Sequence, residues 1–266
     1  MFDAVNPTNP IAAYLGGKRN LAKRLSALMS TIPHRTYVEP FVGMGGVFLR
    51  RDWRSKVEVI NDLSGDVANL FRVAKKHYEP LVDEFDLLLG SRAEFDRQMR
   101  VDPSTLTDIE RAARFIYVQR LAFGGKVTGR AFGVDRRSPS RLRLASLRAD
   151  LRRLRDRLEA VTIEQLGYAD VLRRYDAAET LFYLDPPYWS CETDYGPDSF
   201  SRADFTRLAE QLDAIAGTFV MSINDTPGVR ETFGRFNLQE VETTYTIGTK
   251  AIGAGQKVGE LIITNR

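Results

Sequence analysis

The strongest constraint on what this chain can become is the run "TYVEPFVGMGGVFLRR", residues 36–51, followed after a short gap by "VEVIND", residues 57–62. It reads as a strand, a glycine turn, a helix starting at "GGVFLRR", and a second strand ending in an acid, the opening of a nucleotide-binding α/β unit. Gly43, Gly45 and Gly46 let the backbone bend tightly and approach a ligand with no Cβ in the way. Their spacing is neither G-x-G-x-x-G nor a G-K-[ST] triphosphate loop, which points to an adenosine without phosphates. Asp62 stands where an acid accepts hydrogen bonds from two ribose hydroxyls. The same acid, or Ser64, would also serve as a cap for the next helix. S-adenosylmethionine fits such a site. Asp170 in "LGYAD", read as the end of another strand, would either reach the adenine amino group or cap "VLRRY".

The rest of the chain repeats the α/β pattern around a break. Residues 19–30 have helical spacing, and 64–122 is helical throughout. "GGKVTGRAFGVD", 124–135, reads as a turn or β-ribbon. Strands return at "VTIEQLGYAD", "TLFYLD" and "TFVMSIND", the last preceded by a helix, and the chain closes with "LQEVETTYTIG" and "GELIITN". The expected organisation is a sheet domain made of residues 1–70 and 151–266, with a mainly helical insertion at 71–150. Within 136–158 arginines are dense, as in a polyanion-binding surface. Leucines at 142, 144, 147, 151, 154 and 158 equally describe an amphipathic helix, and the two readings are compatible.

Composition excludes several classes. No apolar run approaches the roughly 18 residues that span a bilayer, so no membrane partner is expected. The N-terminus lacks the basic start and apolar core of a secretory signal. The single cysteine, Cys191, cannot form an internal disulfide, which fits a reducing compartment and a cytoplasmic location. His34 and His77 have no ligand spacing with Cys191, and no metal site is expected.

The stretch "LDPPYWS", residues 184–190, follows an apolar strand. Such a turn is rigid, since Asp-Pro and Pro-Pro form turns, and it also suits a particular chemistry. The exocyclic amine of adenine is a poor nucleophile because its lone pair is delocalised into the ring. A carboxylate and a backbone carbonyl that both accept from it would localise that pair and aim it. Asp185 and the carbonyl of Pro186 would be those acceptors, while Pro186 and Pro187 fix φ and contribute no N–H. Tyr188 would stack on a base turned out of the duplex, and Trp189 would add a wall or pack in the core.

These residues resemble the Dam-type DNA adenine N6-methyltransferases. "YLGGKR" at 14–19 is similar to the family's N-terminal segment, "YVEPFVGMGGVFL" to its cofactor loop and "INDLSGDV" to its ribose-binding segment. "FYLDPPY" is similar to the catalytic motif and "KVGELIITN" to the closing strand. The resemblance implies an α/β fold, with a Rossmann-like methyltransferase sheet and an inserted DNA-recognition domain. It implies that Tyr14, Lys18, Asp62 and Asp185 line the S-adenosylmethionine site, with Glu39, Pro40, Phe41, Gly43 and Gly45 around the methionine part. Asp185, Pro186, Pro187 and Tyr188 would form the catalytic tetrapeptide.

The recognition segment, "QRLAFGGKVTGRAFGVDRRSPSR", is shorter than in several members. Gln119, Arg120, Lys126, Arg130 and Arg136 are its candidates for DNA contact, and phosphate contacts position without specifying. The enzyme is expected to be site-specific or of relaxed specificity, and the poor complement of base-reading side chains favours the latter. The partner is double-stranded DNA with a flipped adenine, a monomer suffices, and no obligate protein partner is expected. "GTKAIGAGQK", 248–257, reads as a loop near DNA or a plain linker. A pure binding module would have no use for an acceptor-lined pocket. A methyltransferase acting on RNA or a protein amide is the nearer alternative.

Overall fold

The computed structural model of the chain describes residues 2–86, 88–133, 139–196, 200–244 and 257–265. β1 (Asp3–Ala4) is followed by α1 (Ala22–Ser30), β2 (Thr36–Glu39), β3 (Trp53–Arg54) and β4 (Val57–Asn61). Five helices come next: α2 (Gly65–Lys76), α3 (Tyr78–Asp83), α4 (Arg92–Arg100), α5 (Asp108–Leu121) and α6 (Leu144–Arg157). The last third holds β5 (Val161–Glu164), α7 (Tyr168–Tyr175), β6 (Thr180–Leu184), α8 (Arg202–Ala214), β7 (Thr218–Asn224), α9 (Pro227–Phe233), β8 (Asn237–Thr244) and β9 (Lys257–Thr264).

β1 and β3 form a small antiparallel pair, and the other seven strands form one sheet in the order β5-β4-β2-β6-β7-β9-β8. Only β9 runs against the rest. This is the Rossmann-like arrangement, with a reversed strand inserted near one edge. The central strands are apolar along their whole length, as "TLFYL" in β6 shows, because both faces are covered. Alternate residues serve opposite faces. Val38, Phe182 and Leu184 pack with α7, α8 and α9, whereas Tyr37, Leu181 and Tyr183 pack with α1 and the α2–α6 helices.

Leu70, Phe71, Phe115 and Leu151 belong to that same continuous core. The segment expected as an insertion thus shares one core with the sheet, and the expected limits near 70 and 151 fall inside α2 and α6. α5 starts with a reciprocal capping box between Thr107 and Glu110. α6 buries Leu147, Leu151 and Leu154, so its part of the arginine-dense stretch, Leu144–Arg157, is an amphipathic helix.

One local expectation needs correction, and one open alternative is decided. The helix expected from "GGVFLRR" is a single 3-10 turn, Phe48–Arg50. Arg51 leaves it in an extended conformation, with φ −70° and ψ 139°, and reaches Glu58 at 2.6 Å. Residues 123–133 form a turn, Phe123–Gly125, closed by one bridge between Ala122 and Phe132, so the described part of that segment is no ribbon. Among the described residues no helix is long and apolar enough to cross a membrane.

Candidate active site

β2 and β6 are parallel neighbours, but the chain proceeds from β2 to β4 on one side and from β6 to β7 on the other. Connections leaving such a pair diverge and open a crevice at the carboxyl ends of the strands. Glu39 ends β2 and Asp185 immediately follows β6. A cavity of about 1360 Å³ lies there, and both residues line it.

The glycine bend forms one wall. Gly43 has φ +49°, and a Cβ on it would lie 3.1 Å from the Tyr14 ring. Its N–H donates to Asp62 Oδ2 at 2.8 Å, and the Ser64 N–H donates to Oδ1 at 2.9 Å. Asp62 therefore ties the bend to Ser64, the residue just before α2, where no side chain caps the helix, and it also lines the cavity. Burial pushes its carboxyl up to about 6, against the two N–H donors. Glu39 accepts from the Tyr37 hydroxyl at 2.6 Å. Burial lifts its carboxyl to about 8, with Tyr37 and Arg51 opposing. Tyr14, Pro40 and Phe41 line the same space, but Gly45 does not. Gly45 has φ +75°, and a Cβ there would meet Leu49 Cγ at 2.8 Å, so its part is in the turn.

The opposite wall carries the Asp-Pro-Pro-Tyr turn. The Lys18 ammonium pairs with Asp185 Oδ1 at 2.6 Å, donates to the Gly16 carbonyl at 3.1 Å and sits 4.5 Å from the centroid of the Tyr188 ring. Burial pushes the Asp185 carboxyl up, and Lys18 opposes it. The Ser222 hydroxyl is a further, longer donor to Asp185 at 3.4 Å. Pro187 lines the cavity; Pro186 and Tyr188 stand behind it. The Tyr188 hydroxyl donates to Glu260 Oε1. Trp189 takes the core role. Its ring packs on Phe205 with centroids 4.9 Å apart, so close to Gly228 that a Cβ there would come within 2.0 Å.

Several expected residues stand elsewhere. Asp170 is no strand end. It lies in the first turn of α7, where an acid suits the positive helix terminus, pairs with Arg173 and does not line the cavity. Gln119 is fully buried and cannot meet DNA. Its amide donates to the carbonyls of Ala13 and Gly125 at 2.9 and 2.8 Å and accepts from Arg130, which fastens the 123–133 turn to the N-terminal segment. Arg130 is consequently half-buried, while Lys126 is exposed. Arg120 borders the cavity and bonds the Arg141 carbonyl. Arg136 and residues 248–256 lie outside the described residues.

The cavity also includes Tyr168, Tyr195, Arg141 and Arg143, which the motifs did not single out. Tyr195 is brought in by a bond from its hydroxyl to the Leu15 carbonyl at 3.0 Å, across 180 residues of chain. Glu260 was missed as well, although an acid followed by "LII" in a closing strand was a readable signal. Among the described residues no cluster of His, Cys, Asp or Glu is arranged to hold a metal. The chemistry of the lining fits S-adenosylmethionine: a backbone bend with no side chain at its tip, an anchored acid, aromatic faces and a second acid.

Comparison with known proteins agrees with this chemistry. Residues 14–247 match the family described as D12 class N6 adenine-specific DNA methyltransferase. The type II methyltransferase M1.LlaDCHI of Lactococcus lactis subsp. cremoris is 30% identical over 96% of this chain and 95% of its own length. The DNA adenine methylase of Salmonella typhi is 27% identical over 85% of this chain and 84% of its own. The type II methyltransferase M.MjaIII of Methanocaldococcus jannaschii is 24% identical over 96% and 98%.

Proposed function

Since the chain belongs to the D12 class of N6 adenine-specific DNA methyltransferases, enzymes that use S-adenosylmethionine to methylate adenine in DNA, we propose that the target adenine turns out of the duplex and enters the crevice beside Asp185. The observation that carries this reading is that Asp62 and Asp185, from the two constellations of the sequence, wall one cavity at the point where the strand order diverges. When bound, S-adenosylmethionine supplies a methyl group on a positively charged sulfur. Tyr14, Lys18, Glu39, Pro40, Phe41, Gly43, Gly45, Asp62 and Asp185 would hold or shape its site.

The chain's own residues do the rest. Asp185 Oδ1 is engaged by Lys18, which leaves Oδ2 for the adenine amino group, and the Pro186 carbonyl is the second acceptor. Together they draw the lone pair out of the ring and aim it. Lys18 keeps Asp185 ionised before transfer, and the proton leaves the amine once the nitrogen is cationic, passing to Asp185 or to water. Tyr188 stacks on the base.

The 71–150 insertion is the DNA-recognition part in this reading. Lys126, which is exposed, and Arg120, Arg141 and Arg143, which border the cavity, would meet phosphates. Specificity is relaxed, the enzyme acts as a monomer, and it works in the cytoplasm. Labelled methyl transfer to duplex DNA, RNA and protein in parallel tests the substrate, and locating N6-methyladenine by sequence context tests specificity. Transfer to RNA or protein alone contradicts the substrate assignment, and one fixed motif contradicts the relaxed specificity.

A further inference from the structure

Glu260 lies within β9 and is completely buried. Its register partner across the sheet is Asn224, the last residue of β7. These two residues hold successive positions of the catalytic turn. Asn224 grips Trp189 on both sides, accepting from its N–H at 2.9 Å and donating to its carbonyl at 3.1 Å. Glu260 Oε1 accepts from the Tyr188 hydroxyl, while Oε2, also buried, has no hydrogen-bond partner. Burial pushes this carboxyl up, with the Lys18 ammonium and the Tyr188 phenol opposing. A buried acid with an unmet oxygen costs folding free energy, and such groups concentrate where a site needs them.

We propose that Glu260 is a positioning residue for methyl transfer: by holding the Tyr188 hydroxyl it fixes the plane of the ring on which the target adenine stacks. The inference rests on the reading of Tyr188 as the stacking face, which requires the base to pass the cavity wall in front of that ring and to share it with the Lys18 ammonium. A tyrosine held at its backbone by the turn and at its hydroxyl by Glu260 cannot swing about its side-chain torsions. A phenol donating to a carboxylate also has a more electron-rich ring. That the Tyr188 face accepts a cation is visible in the Lys18 ammonium lying against it. The adenine gains positive charge only as its amine takes the methyl group, so the ring favours the transition state over the bound substrate, and its loss falls on kcat more than on KM.

The test measures methyl transfer to duplex DNA by E260Q in two backgrounds, wild type and Y188F. E260Q is expected to lower kcat about tenfold with KM little changed, and to have no further effect once Y188F has removed the hydroxyl. An unchanged kcat in E260Q, or the same loss in both backgrounds, overturns the proposal. If E260Q folds poorly, E260D, which keeps the charge but withdraws the carboxyl, is read in the same two backgrounds with the same criteria. Y188A separates the two levels: full turnover in that variant removes the stacking reading itself, whatever E260Q does.

Discussion

Two groups of buried charge sit at opposite ends of the sheet, and they are built differently. At the amino-terminal end of β4, Glu58 accepts from Arg51 and from Arg157 of α6, each at 2.6 Å. Aromatic rings close over both guanidinium groups. Arg51 lies 3.7 Å from the Tyr37 centroid and 4.4 Å from that of Trp53, and Arg157 lies 4.0 Å from that of Phe48. At the carboxyl end, Lys18 and Asp185 make a comparably short pair, but its acid is one-fifth exposed to the cavity. A sealed triad joins α6 to the sheet, whereas a pair open on one side can exchange a partner. Burial of charge alone therefore does not mark the site; burial beside an opening does.

The largest expected effect breaks the sealed cluster. E58Q leaves two guanidinium groups buried without their counter-charge and is expected to lose about 3–5 kcal/mol of stability, measured by urea unfolding, with turnover per folded molecule unchanged. Replacing Arg51, Glu58 and Arg157 together by apolar residues of similar volume should restore stability to the wild-type range or above it. If E58Q unfolds like wild type, the triad does not hold the helix.

At the open end the expected effect falls on ligand binding. D62N should weaken S-adenosylmethionine binding about tenfold in calorimetry, since one charge-assisted acceptor is lost, and cost only about 1 kcal/mol of stability. Because the Asp62 carboxyl loses its proton near pH 6, cofactor affinity should rise through that pH in the wild type and lose the step in D62N. Equal affinity in both proteins at pH 8 would remove Asp62 from the ribose site.

The smallest effect separates the two ends by pH. Burial pushes the Glu58 carboxyl up, but Arg51 and Arg157 pull harder and hold it below its usual value. Its contribution is present at neutral pH and is lost as pH falls through the folded-state value. Glu39 has the opposite sign. It keeps its proton to about pH 8 when folded but to roughly 4.3 when unfolded, so the folded chain binds more protons in between and stability falls as pH rises across that window. E39Q should flatten the decline in melting temperature between pH 5 and 8. An unchanged slope would mean that Glu39 is not the group responsible.

Much of this was legible in the sequence where the physics is local. The bend at Gly43 to Gly46, the acid at 62 and the turn at 185–188 are short runs whose backbone needs are written in their own residues. What escaped was set by strand order. Glu260 reaches Tyr188, and Asn224 reaches Trp189, only because β6, β7 and β9 lie side by side. Local pattern also misled where a distant partner won. The helix after the glycine bend stops because Arg51 turns toward Glu58, and Gln119 faces inward because the distant Ala13 carbonyl, together with the Gly125 carbonyl and Arg130 nearby, takes up its amide.

The most direct measurement is methyl transfer by D185A, with cofactor binding and thermal melting recorded on the same preparation. A folded variant that still binds S-adenosylmethionine but transfers methyl to duplex DNA at least about 10³-fold more slowly is the expected result. Turnover close to wild type in that variant would contradict the assignment of Asp185 as the group that grips the adenine amine.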